Sequence, residues 1–506
     1  MHPTKRIIVN TLVQYLKSVF TIGLSFYTTR LILDALKVDD FGIYSVVGGV
    51  VTMLGFIANA MVITTQRYIS FYFGRGDAQY VKKLFTNSLL LHIILGSVLA
   101  IILLLLTKVV MGMLTIPEER FDTAQKVYFI TTALLFITII IAPFKALFIA
   151  REHITYIALV EIVDAVVKLL CVIALTYASA DKLLLYALIM AAIQLLNLMA
   201  YAGYSRWKFP ECRLLIYRHD IDGKTMKSIF NFAGWSTFGM GSIAARNQGV
   251  AVILNHFFGT AINAAYGLAF QIYNSMAFVS SSILNAMNPQ IMKAEGGGDH
   301  QKMLRLAGQE SKFSVALMAI VSIPILIELP AILDVWIKNE VPPYTAMFCT
   351  YIIVSFMIDQ ATIGLHAVNQ AMGHIRTYSL LTFTPKLLSV ILVWLLLHLG
   401  HPVDSSMWVF ITIETLVSIV RLPYLKYTAG LSIAHYLRHT ILPLIPLFAA
   451  SIVSSYGIVM LFHLEYRFIL TIIVSMLVTS LIAWRYTLSN EERRFFTESV
   501  IKRLRG

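Results

Sequence analysis

About fourteen runs of roughly 18 to 25 mostly apolar residues follow one another along this 506-residue chain, and that succession restricts the fold more than any other feature. Each run is long enough to cross a bilayer as a helix. In hydrocarbon the backbone must satisfy its own polar groups, and in runs of this length the helix is the structure that does so. The chain is therefore expected to be an all-α polytopic membrane protein. The first six runs centre near Leu24, Thr52, Leu95, Ile137, Val166 and Ile193, the next six near Ser242, Ala277, Val315, Val354, Val390 and Glu414, and the last two near Ala450 and Ser475. Only 13% of the residues are charged, against the ~25% usual in soluble domains.

The net charge of +13 then reads as topology, not as a nucleic-acid surface. About 27 Lys and Arg fall in one alternate set of connections and about eight in the other, so the first set faces the cytoplasm by the positive-inside rule. That set includes Arg67 to Lys83, Arg206 to Lys227 and the tail from Arg485, which puts both termini inside. Lys5 and Arg6 precede an apolar run too long for a signal-peptide core, so it stays as the first span. Cys171, Cys212 and Cys349 form neither a paired framework nor a metal-ligand spacing, and the histidines are not grouped as ligands. No Walker motif is present. No cofactor or metal is expected.

The chain also repeats itself. Gly74-Arg75-Gly76-Asp77 recurs as Gly296-Gly297-Gly298-Asp299, and Ala150 to Tyr156 (AREHITY) recurs as Ala371 to Tyr378 (AMGHIRTY). Both matches imply an offset of about 222 residues, as a duplicated six-span unit would give. The glycine turns lack the preceding strand of a nucleotide-binding loop and read as tight turns or hinge points. The expected organisation is a six-helix lobe over residues 1–205, a cytoplasmic linker over 206–227, a second pseudo-symmetric lobe over 228–426, and an amphipathic segment with helices 13 and 14 over 427–506. The apolar stripe from Leu431 to Leu437, with His435 and Arg438, reads as a short helix on the inner membrane face.

Charges inside spans carry the functional signal. Arg246 lies roughly 25 Å along its helix from Ile229, where an arginine costs at least ~2.5 kcal/mol. No acid lies within two turns of it on its own helix, which points to a cavity and an anionic substrate, with an acid from another helix as the alternative. Lys17, Arg30, Lys168, Lys312 and Lys386 are the other basic candidates; Arg30, Lys312 and Lys386 are near enough to a span end to snorkel, at least in part. Glu161, Asp164 and Lys168 form one helical stripe, with Asp164 one turn before Lys168 in the favourable order for an ion pair. The repeat places Lys386 where Asp164 sits in the first half. The stripe is either a helix-to-helix clasp or a cavity lining. Asp359, deep in the tenth span beside Gln360, either carries a proton or neutralises a buried lysine. Glu414, two turns from Arg421, reads as a structural partner. Asp39 and Asp40 read as a solvated outer turn.

Several short motifs go further. Thr29-Arg30-Leu31-Ile32-Leu33, Asp40-Phe41-Gly42-Ile43-Tyr44, Arg67-Tyr68-Ile69-Ser70 before Gly74-Arg75-Gly76-Asp77, Asn263-Ala264-Ala265 and Asn288-Pro289 resemble the Wzx-like polysaccharide flippases of the MOP (multidrug/oligosaccharidyl-lipid/polysaccharide) exporter superfamily. The resemblance implies two six-helix lobes and a cationic cavity with alternating access. Through it undecaprenyl-diphosphate-linked oligosaccharide would pass from the inner to the outer leaflet of the bacterial inner membrane. It also implies a lipid-tail groove at the two extra helices, and a polysaccharide polymerase with its chain-length machinery as partners. Lys17, Arg30 and Arg246 are approximate counterparts of arginines in the related lipid II flippases. H+ and Na+ both stand open as coupling ions. The alternatives are a lipid II flippase, a cation-coupled multidrug (MATE-type) exporter with Asp359 at its centre, and a membrane-embedded polymerase or acyltransferase. The last lacks the large outer loop or catalytic cluster it would need, so no enzyme is expected.

Overall fold

The computed structural model describes residues 3–52, 54–113, 116–212, 220–337, 341–462, 464 and 466–493, and among these the regular structure is all helical, joined by short turns, with no strand. The helices run in order as α1 (Pro3–Thr52), α2 (Gly55–Gly74), α3 (Ala78–Leu105), α4 (Thr107–Met113), α5 (Phe121–Ala150), α6 (Ile154–Thr176), α7 (Lys182–Lys208), α8 (Gly223–Phe258) and α9 (Thr260–Gly296). There follow α10 (His300–Ile327), α11 (Leu329–Ile337), α12 (Thr345–Gln360), α13 (Ile363–Met372), α14 (Ile375–His398), α15 (Ser405–Ala429), α16 (Ile433–Tyr436), α17 (Ile445–Leu461) and α18 (Arg467–Ile482). α1 is two helices joined at Lys37, whose φ of 64° interrupts the coil.

Among the described residues eight helical stretches are long and apolar enough to cross a membrane, and nine if α12 and α13, bent by 45° at their junction, are counted as one span. The protein is therefore a multi-pass membrane protein. Helices also run through the other five expected positions, in α1, α2, α6, α8 and α9. These do not pass on length and composition, so among the described residues eight of the fourteen expected spans stand on that criterion, or nine with the bent pair as one span.

The chain forms two compact units, one within residues 9–240 and one within 241–506 together with the first residues through Ile8. The sequence puts the junction in the linker at 206–227, whereas the packing puts it inside α8. The physical reason is that the start of α8 is tied to the first unit. Asn87 accepts from the Asp222 amide (2.8 Å) and donates to the Asp220 carbonyl (2.7 Å), and the Tyr80 and Thr225 hydroxyls pair at 3.0 Å.

The repeat is visible in backbone geometry. Gly76 and Gly298 have φ of 75° and 78°, and the aspartate after each caps the next helix: Asp77 accepts from the Tyr80 amide (2.9 Å), Asp299 from the Lys302 amide (3.0 Å). A capping carboxylate answers the orphan donors of a helix start, so the motif is a turn-and-cap device in both units. The second match behaves likewise. Glu152 (φ 61°) and Gly373 (φ 82°) make the same left-handed turn before His153 and His374, which begin α6 and α14.

In the second unit α18 is fixed at its start to the end of α10, and the segment that follows α18 is fixed to the middle of α10. Arg467 donates to both carboxylate oxygens of Glu328 (2.9 and 3.0 Å), and Lys312 pairs with Glu492 just beyond α18 at 2.6 Å. Exposed Leu461, Leu477 and Leu481 on α17 and α18 suit contact with lipid. The stripe at Leu431–Leu437 does not simply lie on a surface. Leu431 and Tyr436 are buried in one cluster with Ala307, Leu365 and Leu425, so the segment is a packed part of the second unit. Asp40 is likewise no solvated turn residue: it takes two bonds from Arg120, which also holds Asp181.

Candidate functional site

Each unit holds its own constellation of charges, largely buried in the second unit and half-buried in the first. In the second unit, α8 supplies Arg246, α12 Asp359, α14 Lys386, and α15 both Glu414 and Arg421. Arg246 pairs with Glu414 at 2.6 Å; Lys386 reaches Glu414 at 2.7 Å and Asp359 at 3.1 Å; Arg421 reaches Asp359 at 2.9 Å. The charges thus alternate along one chain of five, with three cations on two carboxylates. Glu414 and Arg421 are seven residues apart and share a face of α15. Phe410, one turn before Glu414, stacks under the Arg246 guanidinium at 4.6 Å. Tyr266 and Tyr273 of α9 stand within electrostatic reach of the same guanidinium. Arg421 also donates to the Thr362 hydroxyl at 3.0 Å, at the junction of α12 and α13.

The arrangement answers two readings of the sequence. Arg246 does not stand alone with a cavity: the acid comes from a helix 168 residues away. Asp359 lies between Lys386 and Arg421, the geometry that neutralisation of a buried lysine requires, and Glu414 pairs with Arg246 and Lys386, with no ion pair to Arg421 among the described residues.

In the first unit the constellation is Lys17 from α1, Lys145 from α5, Glu161, Asp164 and Lys168 from α6, and Asn197 from α7. Lys17 and Lys145 hold Glu161 at 2.6 and 3.4 Å. Lys168 holds Asp164 at 2.8 Å across the expected turn, and Asn197 donates to Asp164 at 2.7 Å. Again three cations meet two carboxylates. Glu161, Asp164 and Lys168 also line a cavity of about 420 Å³ with the hydroxyls of Thr21, Ser25 and Thr28. Clasp and cavity lining therefore coexist in one stripe.

Lys312 belongs to neither constellation, since its partner is Glu492. The side chains of Arg30 and Asp39 lie outside the described residues. Sequence reading assigned no role to Lys145, counted with a loop although it lies inside α5, or to Glu310, two residues before Lys312.

A second cavity, about 500 Å³ and almost wholly apolar, lies between α10, α12 and α17. Met357, Ile358 and Ala361 line it, so the stretch of α12 that gives Asp359 to the charged chain also walls an apolar groove.

No protein-family model matches this chain, and no curated protein matches it in sequence. Its fold does match solved structures. One is a MOP superfamily transporter from Pyrococcus furiosus Vc1, described as having a binding pocket of reverse polarity that suggests a different function; it is 12% identical, with a TM-score of 0.72. Another is an outward-facing multidrug resistance MATE family transporter of the MOP superfamily, 13% identical with a TM-score of 0.73. A third is a MATE in the straight conformation, 15% identical with a TM-score of 0.70. Each match covers 85% of this chain and 96% of the other. The chain has the fold of the MOP-superfamily transporters, with residues to spare beyond it.

Proposed function

We propose that this chain, built on that transporter fold, moves an amphiphile with an anionic head across the membrane, namely a lipid-linked oligosaccharide joined through diphosphate. The observation that carries the reading is the double duty of α12. Around Asp359 one side of the helix meets a chain of charges richer in cations than in acids, and the other walls an apolar groove. An anionic head needs fixed cations in place of water, while its tail can remain in an apolar groove. α17, one of the two extra helices, supplies the far wall of that groove, including Phe448 and Tyr456. The first unit repeats the excess of cations over acids.

On this reading the lobes alternate access, the membrane is the bacterial inner membrane with both termini cytoplasmic, and the downstream partners are a polymerase and its chain-length machinery. Cation-coupled multidrug export is the second reading, favoured by the fold match to a multidrug resistance MATE transporter. A cationic drug, however, calls for an excess of acids, and neither constellation has one. Vesicles reconstituted with the purified protein separate the two. Lipid-linked oligosaccharide should gain access to the outer leaflet at a protein-dependent rate, and cationic dye should not be expelled. Dye export without oligosaccharide movement would overturn the proposal.

A further inference from the structure

Glu310 on α10 is fully buried, and neither of its carboxylate oxygens has a hydrogen-bond partner among the described residues. It differs in this from Glu211, Glu328, Glu414 and Glu492, buried carboxylates that each face an arginine or lysine. An ionised carboxylate in such a place has neither water nor counter-charge, so the arrangement suits the neutral acid. The neighbouring groups define where it sits. Ser311 accepts from the Gly364 amide at 2.9 Å, joining α10 to the first turn of α13. The Tyr436 hydroxyl, from α16, donates to the Ala361 carbonyl at 2.8 Å, at the end of α12. Both bonds converge on the junction where α12 and α13 bend by 45°. The Ala307 carbonyl lies so close to Gly364 that a Cβ there would collide with it. Tyr436 is a titratable group that feels the Glu310 charge, and Arg421 lies beyond it. The other elements packed on α10 are α9, α11, α12, α13, α17, α18 and the turns Leu437–Ile441, with Arg438 and His439, and Leu442–Leu444; no ion pair joins Glu310 to any of them among the described residues.

We propose that Glu310 is a proton-binding site at the hinge of the bent span α12–α13. The carboxyl holds its proton while α10, the segment at 433–441 and the hinge are packed together. When they part, the O–H bond breaks and the proton passes to water. Interrupted helices are where transporters place their ion sites, so a charge appearing at this bend biases one arrangement over the other. This assigns the coupling proton to Glu310 and not to Asp359, which is held by two cations. The inference rests on the transporter reading but not on the cargo.

The test uses full-length protein in nanodiscs without cargo. Infrared difference spectra between acidic and alkaline buffer should show the carbonyl band of a buried carboxylic acid in the native protein, and Glu310→Gln should remove it. Spin labels at exposed Gln301 and Leu442 report the separation of α10 from the 433–444 segment. Raising the pH should reduce the close population of the native protein by roughly half or more, while Glu310→Gln keeps it at every pH. Identical spectra, or identical pH dependence of the label distance, overturn the proposal. If Glu310→Gln does not fold, Glu310→Asp replaces it, and an unshifted carbonyl band is then the refuting result. Oligosaccharide movement without these signals would refute Glu310 alone, and these signals without oligosaccharide movement would refute the cargo alone.

Discussion

Arg246 and Glu414 form an ion pair of 2.6 Å in which both side chains are more than nine-tenths buried. Removing one partner of such a pair leaves a buried charge uncompensated, at a cost of about 3–5 kcal/mol. Lys386 remains on Glu414, so Arg246→Ala is expected to cost about 3 kcal/mol, at the low end of that range. The Arg246→Ala/Glu414→Ala double variant should lose less than the sum of the single losses. Arg246→Lys should recover part of the stability, because lysine lacks the planar fork. Denaturation of purified protein in a double-mutant cycle measures the coupling, and strictly additive losses would mean that the pair contributes nothing. Transport normalised to folded protein then separates a cargo contact from this structural role.

Gly364 meets the Ala307 carbonyl with no room for a side chain. Gly364→Ala should lower stability by about 1–3 kcal/mol through overpacking. Gly457→Ala on α17, where nothing lies within 4 Å of the added carbon, should be neutral or slightly stabilising. Thermal midpoints of the two variants compare them directly, and equal midpoints would contradict the close α10–α13 contact.

The repeated left-handed turns give a paired prediction. Gly373→Ala and Gly298→Ala should each cost about 1 kcal/mol, because a Cβ is strained at their φ of 82° and 78°. Glu152 already bears that strain at φ 61°, so Glu152→Gly should be close to neutral by comparison. A large loss for Glu152→Gly would show that its side-chain contacts outweigh the turn.

At the start of α7, burial pushes the Asp181 carboxyl up, but hydrogen bonds from Arg120, the Leu184 amide and Thr123 more than offset it and hold the group below its ordinary value. A depressed carboxylate contributes stability above the unfolded-state value and loses it as pH falls through the folded one. Unfolding followed against pH should therefore show an acid limb that Asp181→Asn makes shallower. An acid limb of unchanged slope would count against this clasp.

Orientation is tested by single cysteines at exposed Gln301, in the first turn of α10, and at exposed His401, in the connection before α15. A membrane-impermeant thiol reagent added to intact cells should label the second and spare the first. Labelling of the Gln301 site would reverse the assigned topology.

Much of this architecture is legible in local sequence. The apolar runs, the two glycine-aspartate turns and the Asp164–Lys168 pair depend on residues a few positions apart, where periodicity and capping chemistry act directly. The bend between α12 and α13 and the stapling of α18 to α10 leave no such trace, because they arise between elements.

The sequence by itself determined that the chain is helical, spans a membrane many times, repeats its glycine-aspartate turns and places an unusual set of charges within apolar runs. The tertiary structure decided which charges meet. Arg246 finds Glu414 across 168 residues, Lys312 finds Glu492, and Glu310 finds no counter-charge among the described residues. The reason is physical: a buried ion is stabilised by whatever lies within a few ångströms, and in a helical bundle those neighbours come from other helices, whose rotation and register are set by packing across the whole unit.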